Sequence, residues 1–286
     1  MAKSAVRVFI TGASSGIGRA LAVAYAREGA SLVLLGRDAE RLEAAARACL
    51  AAGAQEAETH IADVRDRESM ARIIQSAHEK RPIDILVANA GVATGLSPGQ
   101  LLETPEAVRA MLKINVEGVF NTVEPAILPM CARKSGRIAI VGSMAGVRAL
   151  PHSPAYCAAK ACVHMWADSL RGQLAAYGVH VALIVPGYVK TPMSARTIVK
   201  TPFSARTIVK TSMSAGAESW QPGAMSDERA ALIIKRGLER RRPVIAFPLF
   251  MYAAMRFFAL LPPAVVDGIM RQFPAEVPET PEREIS

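Results

Sequence analysis

Tyr156 and Lys160 stand four apart in the run YCAAK. On a helix that spacing places both side chains on one face. A free tyrosine has a pKa near ~10, and a neighbouring ammonium stabilises the phenolate and lowers that value. The pair can then move a proton near neutral pH, where acid–base catalysis works best. Ser143 follows the apolar run GRIAIVG, residues 136–142. A hydroxyl there can hold a carbonyl oxygen beside the tyrosine and stabilise developing negative charge. In isolation a Tyr-x-x-x-Lys pair more commonly describes a surface helix, so the rest of the chain decides. Cys157, next to Tyr156, and Cys162, just beyond Lys160, read more simply as helix packing than as reactive thiols.

A second constellation opens the chain. The apolar run VRVFI, residues 6–10, leads into TGASSGIG, residues 11–18, with glycines at 12, 16 and 18. Glycines permit a tight turn and let backbone N–H groups approach a pyrophosphate, and the following helix N-terminus favours that anion. An ordinary glycine-rich strand–helix turn is the competing reading. The next apolar run, SLVLLG, ends at Arg37 rather than at an acidic residue. A carboxylate there would accept hydrogen bonds from a ribose 2′-hydroxyl and favour NAD(H). A guanidinium instead pairs with a 2′-phosphate, so NADP(H) is favoured over NAD(H). The alternative is that Arg37 is a solvated charge partly paired with Asp38.

A frame must carry these groups. Apolar runs at 6–10, 31–36, 57–63, 83–88, 136–142 and 179–185 alternate with helical patterns near 16–28, 38–51, 67–80, 104–113, 115–133 and 154–177. Continuous apolar strands alternating with helices predict a parallel sheet covered on both faces. Crossover handedness then leaves a doubly wound, Rossmann-type α/β fold. Ser226 is the expected cap of a later helix, and RPVIAFP the expected seventh strand. The expected organisation is one oxidoreductase domain over 1–247 with a substrate lid at about 188–225. An apolar helical extension at 248–273 and an acidic flexible tail at 274–286 follow.

The set resembles the short-chain dehydrogenase/reductase family, of the NADP-preferring type. The matching residues are TGASSGIG (11–18), Asp63-Val64, Asn89-Ala90-Gly91, Asn115 in INVEG, Ser143 in IVGSMAG, Tyr156 and Lys160 in YCAAK, and Pro186-Gly187. They fall in the family's order over roughly residues 5–191. The resemblance implies that the cofactor lies along Gly12, Ser14, Ser15, Gly16, Ile17 and Gly18, with Arg37 at the adenosine ribose. It implies that Asp63, beside Val64, holds the adenine amino group, and that Asn89, Ala90 and Gly91 line the cofactor and steady the fourth strand. Pro186, Gly187, Val189 and Thr191 would grip the nicotinamide half. Tyr156 would donate a proton to the carbonyl oxygen, Ser143 would orient it, and Lys160 would also bind the nicotinamide ribose. Asn115 would kink its helix and hold a water that reloads the proton. A homodimer or homotetramer is also implied.

Composition limits the remaining choices. The chain has 286 residues, 51% hydrophobic and 21% charged, which suits one large α/β core and not disorder. Four cysteines without a CxxC pair, and no metal-ligand spacing, indicate reduced thiols and no metal site. No apolar signal core precedes the first strand, so a cytoplasmic protein is expected. The net charge is +9, and residues 190–242 carry eleven Lys/Arg against four Asp/Glu. That concentration suits a basic flap over an anionic ligand or a face toward anionic lipid, and argues against nucleic acid as the partner.

Within the basic segment, KTPMSARTIVKTPFSARTIVKTSMSAG (190–216) repeats a ten-residue unit. Two copies and a fragment are too few for a solenoid. A short duplication inside the lid is the favoured reading, with an assembly artefact as the alternative. Thr191, Thr201 and Thr211 compete for one role, and Thr191 has the family's spacing from Gly187. The segment 244–270 is rich in large apolar residues, and five of eight phenylalanines follow residue 243. Pro248 and Arg256 interrupt it as a membrane span. A packed helix, or peripheral membrane contact through 243–270 assisted by Arg240, Arg241 and Arg242, are the two main readings. The expected function is NADPH-dependent, reversible reduction of a ketone or aldehyde, on a hydrophobic or acyl-type small-molecule carbonyl. The alternatives are a catalytically silent NADP(H)-binding sensor or scaffold, and a membrane-attached 3-keto-lipid reductase.

Overall fold

The computed structural model describes residues 5–93, 95–96, 100–191, 198–199, 223–270 and 275–276. Six βα units open the fold: β1 (Arg7–Thr11) and α1 (Gly16–Ala26), β2 (Ser31–Gly36) and α2 (Ala39–Ala52), β3 (Glu56–Ile61) and α3 (Arg67–Lys80). Next come β4 (Ile85–Ala88) with α4 (Pro105–Leu112) and α5 (Gly118–Ala132), β5 (Gly136–Val141) with α6 (Pro154–Ala175), and β6 (Val179–Pro186) with α7 (Asp227–Glu239). Then β7 (Val244–Phe247), α8 (Leu249–Phe258) and α9 (Pro263–Met270) follow. The seven strands form one parallel sheet in the order β7-β6-β5-β4-β1-β2-β3. The chain reverses its direction of growth between β1 and β4, which is where an open α/β sheet leaves a crevice at its carboxyl edge.

Alternation along the strands explains why both faces are dry. Phe9, Val33, Leu86 and Ile138 point to one face and pack with α3, α5 and α6. Val8, Ile10, Leu32, Leu34 and Ile85 point to the other and pack with α1, α2 and α7. Side chains of successive strand residues alternate in this way, and a strand covered on both sides must be apolar throughout. Each such burial contributes about 1.5–3 kcal/mol. Helix starts are fixed by side-chain caps: Asp38 on α2, Asp66 on α3, Thr104 on α4 and, as its type predicts, Ser226 on α7.

The structure departs from the sequence expectations in three places. Helices 104–113 and 115–133 are joined by a π-helical turn, Lys113–Glu117, with Asn115 at its centre; one inserted residue widens the helix there. Ala275–Glu276, expected to be free tail, pairs antiparallel with Ile198–Val199, joining segments of opposite net charge. Thr201, Thr211 and most of the 190–216 repeat lie outside the described residues.

The third departure concerns the C-terminal apolar segment. It forms two short helices, not one, broken before Pro262-Pro263. Arg240–Arg242 precede β7 and α8 follows it, so the basic run and the apolar helix sit at opposite edges of the sheet. The four-residue strand between them spans about 13 Å at ~3.3 Å per residue. Among the described residues no helix is long and apolar enough to cross a membrane.

Candidate active site

The segments after β1 to β6 converge on one cleft of about 1040 Å³ along the carboxyl edge of the sheet. At one end lies the glycine loop. Gly12 and Gly16 have φ of +66° and +50°, a region that L side chains rarely adopt. Gly18 is the tightest point, because a Cβ there would stand 2.3 Å from the Gly12 carbonyl oxygen. Asn89 ties this loop to β4: its Nδ2 donates to the carbonyls of Thr11 at 3.0 Å and Gly12 at 3.2 Å. Thr11 Oγ1 in turn accepts from the backbone N–H groups of Asn89 and Ala90. A backbone surface with no Cβ, facing the start of α1, suits a dinucleotide pyrophosphate. Ser14, Ser15, Ile17, Ala90, Gly91, Val64, Pro186, Gly187, Val189 and Thr191 line the same cleft. Thr191 packs onto the loop, with its Cγ2 about 3.0 Å from where a Gly16 Cβ would be.

Further along, Ser143, Tyr156 and Lys160 meet. Ser143 stands near enough to the Tyr156 hydroxyl to favour its ionised form. Ser143 Oγ also accepts from the Ala145 N–H at 3.1 Å. Lys160 Nζ donates to the Val141 carbonyl at 2.9 Å and stands 5.7 Å from the centre of the Tyr156 ring. Gly91 lies beside them, open enough to admit both Asn115 Oδ1 and Lys160 Nζ.

The sequence pattern of the short chain dehydrogenases matches residues 6–201 of this chain. The chain belongs to the short-chain dehydrogenase family. Its members are oxidoreductases that interconvert alcohols and carbonyls with a nicotinamide cofactor. The chain is 37% identical over 188 residues to the 3-dehydrosphinganine reductase TSC10B of Arabidopsis thaliana, matching 65% of this chain and 55% of that protein. It thus spans little more than half of that relative. Among solved structures, a short-chain dehydrogenase from Sphingobium yanoikuyae in complex with NADPH superposes with a TM-score of 0.71 at 27% identity, over 93% of this chain and 95% of that one. A xylitol dehydrogenase bound to NAD+ superposes with a TM-score of 0.61 at 32% identity, over 64% and 70%.

Within this short-chain dehydrogenase, two expected site residues do not line the cleft. Gly18 sits behind Gly12, where its absent Cβ admits the loop. Asn115 is fully buried. Its Oδ1 accepts from the Val92 N–H at 2.9 Å and its Nδ2 donates to the Val92 carbonyl at 2.7 Å. The amide thus holds the loop after β4, and its Nδ2 also meets Met111 Sδ at 2.6 Å.

The electrostatics also differ from expectation. The Tyr156 hydroxyl is pushed above its ordinary range: burial raises it, and the nearby Ser143 hydroxyl only partly offsets this. Lys160 is pushed down to about 8 by burial, so the ammonium expected to acidify the tyrosine is itself disfavoured by the same dry surroundings. Arg37 pairs with Asp63 at 3.5 Å, not with Asp38, which instead binds Arg41. Arg65 grips Asp63 through Nε and Nη2. Burial would raise the Asp63 pKa, but these guanidinium contacts hold it below the usual carboxylate range. An adenine amino group at Asp63 would share a carboxylate already bound to Arg65 and Arg37.

Several residues of the site carried no motif. Asn121, on α5, donates to the Val64 carbonyl at 2.9 Å and so holds the Asp63-Val64 turn. His164, one helical turn after Lys160, accepts from the Ser143 N–H. At the end opposite the glycine loop, Leu150, His152, Tyr188, Met251 and Met255 complete the wall. Only the Tyr156, Lys160, His164 spacing, a third polar residue on the same helix face, offered a signal in advance.

Proposed function

We propose that this chain uses NADPH to reduce an apolar, acyl-type or bulky ketone or aldehyde, reversibly, at Tyr156. The observation that carries the reading is the juxtaposition of Ser143 and Tyr156 with the apolar wall of Met144, Leu150, Met251 and Met255. A bound nicotinamide would supply or accept the hydride. Ser143 would donate a hydrogen bond from its hydroxyl to the carbonyl oxygen and keep its proton, while its Oγ accepts from Ala145 N–H. Tyr156 would deliver a proton to that oxygen. Lys160, held by Val141, would replenish charge beside it and bind the ribose. Gly12, Gly16 and the start of α1 would take the pyrophosphate, and Thr191 with Pro186, Gly187 and Val189 the nicotinamide half.

Preference for NADPH rests on Arg37 and Arg41, two guanidinium groups lining the adenosine end. Residues 188–225 act as the substrate lid of the 1–247 domain, and 248–273 as an extension whose α8 walls the substrate end. The Arabidopsis relative's name fits the 3-keto-lipid alternative in part.

The other face of α8 supports a lipid surface as its occupant. Leu249, Phe250, Phe257 and Leu260 are exposed, with Arg256 among them, while Met251 and Met255 of the same helix line the cleft. An apolar substrate dissolved in a bilayer would then meet the cleft beside the contact. Co-flotation with liposomes, lost in a Phe257→Glu/Leu260→Glu variant, supports this. Failure to float removes it, and a concentration-dependent mass that the same variant abolishes would show a second copy on that face.

The reaction is tested by absorbance loss of NADPH and NADH with short ketones, aromatic aldehydes and long-chain 3-keto compounds. Faster turnover with NADPH, rising with the apolar size of the substrate, is expected. A preference for NADH overturns the cofactor assignment. Tight NADPH binding without turnover on any carbonyl would favour the silent binder.

A further inference from the structure

The loop that carries Ser143 is flanked by two glycines, and one side chain fills the space they leave. A Cβ on Gly142 would lie 2.2 Å from His164 Nε2. A Cβ on Gly146 would lie 2.9 Å from the same ring and 2.8 Å from the Lys160 carbonyl. Neither glycine has a positive φ, so turn geometry does not demand them. What both admit is the imidazole. His164 Nε2 accepts the backbone N–H of Ser143 at 3.2 Å. An amide can only donate, so the ring is neutral and carries its proton on Nδ1. Burial first, then the Lys160 charge, depress its pKa to about 4, against a small opposing effect of Asp168.

We propose that His164 is the positioning residue for Ser143, fixing its main chain through Nε2 so that the hydroxyl points at the substrate oxygen. The serine is thereby held at two points. Its N–H is bound to His164 and its Oγ accepts from Ala145 N–H, which leaves the hydroxyl proton as the donor toward Tyr156 and the carbonyl. Tyr156, Lys160 and His164 lie on successive turns of one helix. The helix that supplies the proton donor therefore also sets the orientation of the group beside it. The inference rests on Ser143 acting on the carbonyl.

The test is a double-mutant cycle in kcat at saturating NADPH and substrate, with NADPH affinity measured alongside. His164→Leu keeps bulk but offers no acceptor and is expected to lower kcat about 10- to 100-fold, the scale of a misplaced catalytic group. His164→Gln, whose amide oxygen can accept, is expected to recover most of that loss, and NADPH affinity should hold in both. In a Ser143→Ala background, His164→Leu should cost nothing further, because the group it positions is gone. Losses that multiply would overturn the proposal and leave Ser143 its role. Full activity of Ser143→Ala alone would instead overturn the role of Ser143. Nitrogen NMR of the imidazole gives a reading that needs neither turnover nor a folded variant. An unprotonated Nε2 with a protonated Nδ1 at pH 7 is expected, and a protonated Nε2 would overturn the contact.

Discussion

At the dinucleotide end of the cleft the wall is mostly backbone; at the substrate end it is mostly side chain. Gly12 and Gly18 bring main-chain atoms together at distances no Cβ would allow, and Asn89 and Thr11 lock them to β4. Opposite, Leu150, His152, Tyr188, Met251 and Met255 come from three separate stretches of chain and meet only as a surface. Methionine adapts its shape easily. The first end should therefore fail sharply when any atom is added. The second should change its preference gradually when side chains are exchanged. The catalytic group stands where the two ends meet.

The largest effect should come at that junction. Tyr156→Phe is expected to lower kcat about 10²- to 10⁴-fold, the usual worth of a positioned acid–base group, with NADPH affinity retained. Loss of NADPH binding in step with kcat would mean that Tyr156 belongs to the cofactor end. Next, Gly18→Ala puts a Cβ 2.3 Å from the Gly12 carbonyl. Overpacking of this kind costs about 1–3 kcal/mol, visible as a lower Tm together with weakened NADPH binding. The control is Gly172 on α6, where an added Cβ meets nothing. Gly172→Ala should leave binding unchanged and stabilise the helix by up to ~1 kcal/mol. Equal damage from both alanines would show that backbone packing is not what distinguishes the dinucleotide end.

A smaller effect is expected from Arg37→Ser. Loss of a charge-assisted contact worth ~1.5–3 kcal/mol should raise the NADPH KM by about 10- to 100-fold and leave the NADH KM nearly unchanged. A parallel rise for both would show that Arg37 supports Asp63 instead of reading a 2′-phosphate. At the substrate end, Met251→Ala should shift kcat/KM for a bulky ketone by about 10-fold, with small ketones affected less. If NADPH affinity moves and ketone selectivity does not, the boundary between the two ends is misplaced.

The same contrast governs what could be read in advance. The glycine loop, Asn89–Gly91 and the Tyr156–Lys160 pair are short, local patterns whose geometry follows from strand–turn–helix order, and the parallel, doubly wound sheet follows from apolar strands alternating with helices. His164 was hidden because its role depends on Gly142 and Gly146 lying across from it. The ion pair of Arg37 with Asp63 was not foreseen because Asp63 is distant in sequence, whereas Asp38, the alternative partner, is adjacent. Met251 and Met255 looked like any apolar helix until α8 folded back over the β6 edge. The Tyr156 pKa shift was expected with the wrong sign, since burial, which raises it, has no signature in the spacing of a tyrosine and a lysine.

Lys160 offers the subtlest way to sharpen the comparison, because it is a polar group forced into a dry frame. Its folded pKa is depressed to about 8 from an ordinary 10.5 by burial. Between those values the unfolded chain holds a proton that the folded chain has released, so stability rises with pH across the window from about 8 to 10.5. Below it the fold keeps a buried ammonium at a cost on the order of 3 kcal/mol. The hydrogen bond to Val141 returns part of that. Lys160→Met removes the charge and the bond together. In protein without added cofactor, the variant's Tm should exceed the parent's by a few degrees at pH 7, and the gap should close as pH approaches 10. A gap that does not change with pH would mean that the ammonium is well solvated where it stands. The junction of the two ends would then be wetter than its burial indicates, and the raised Tyr156 pKa would need another cause.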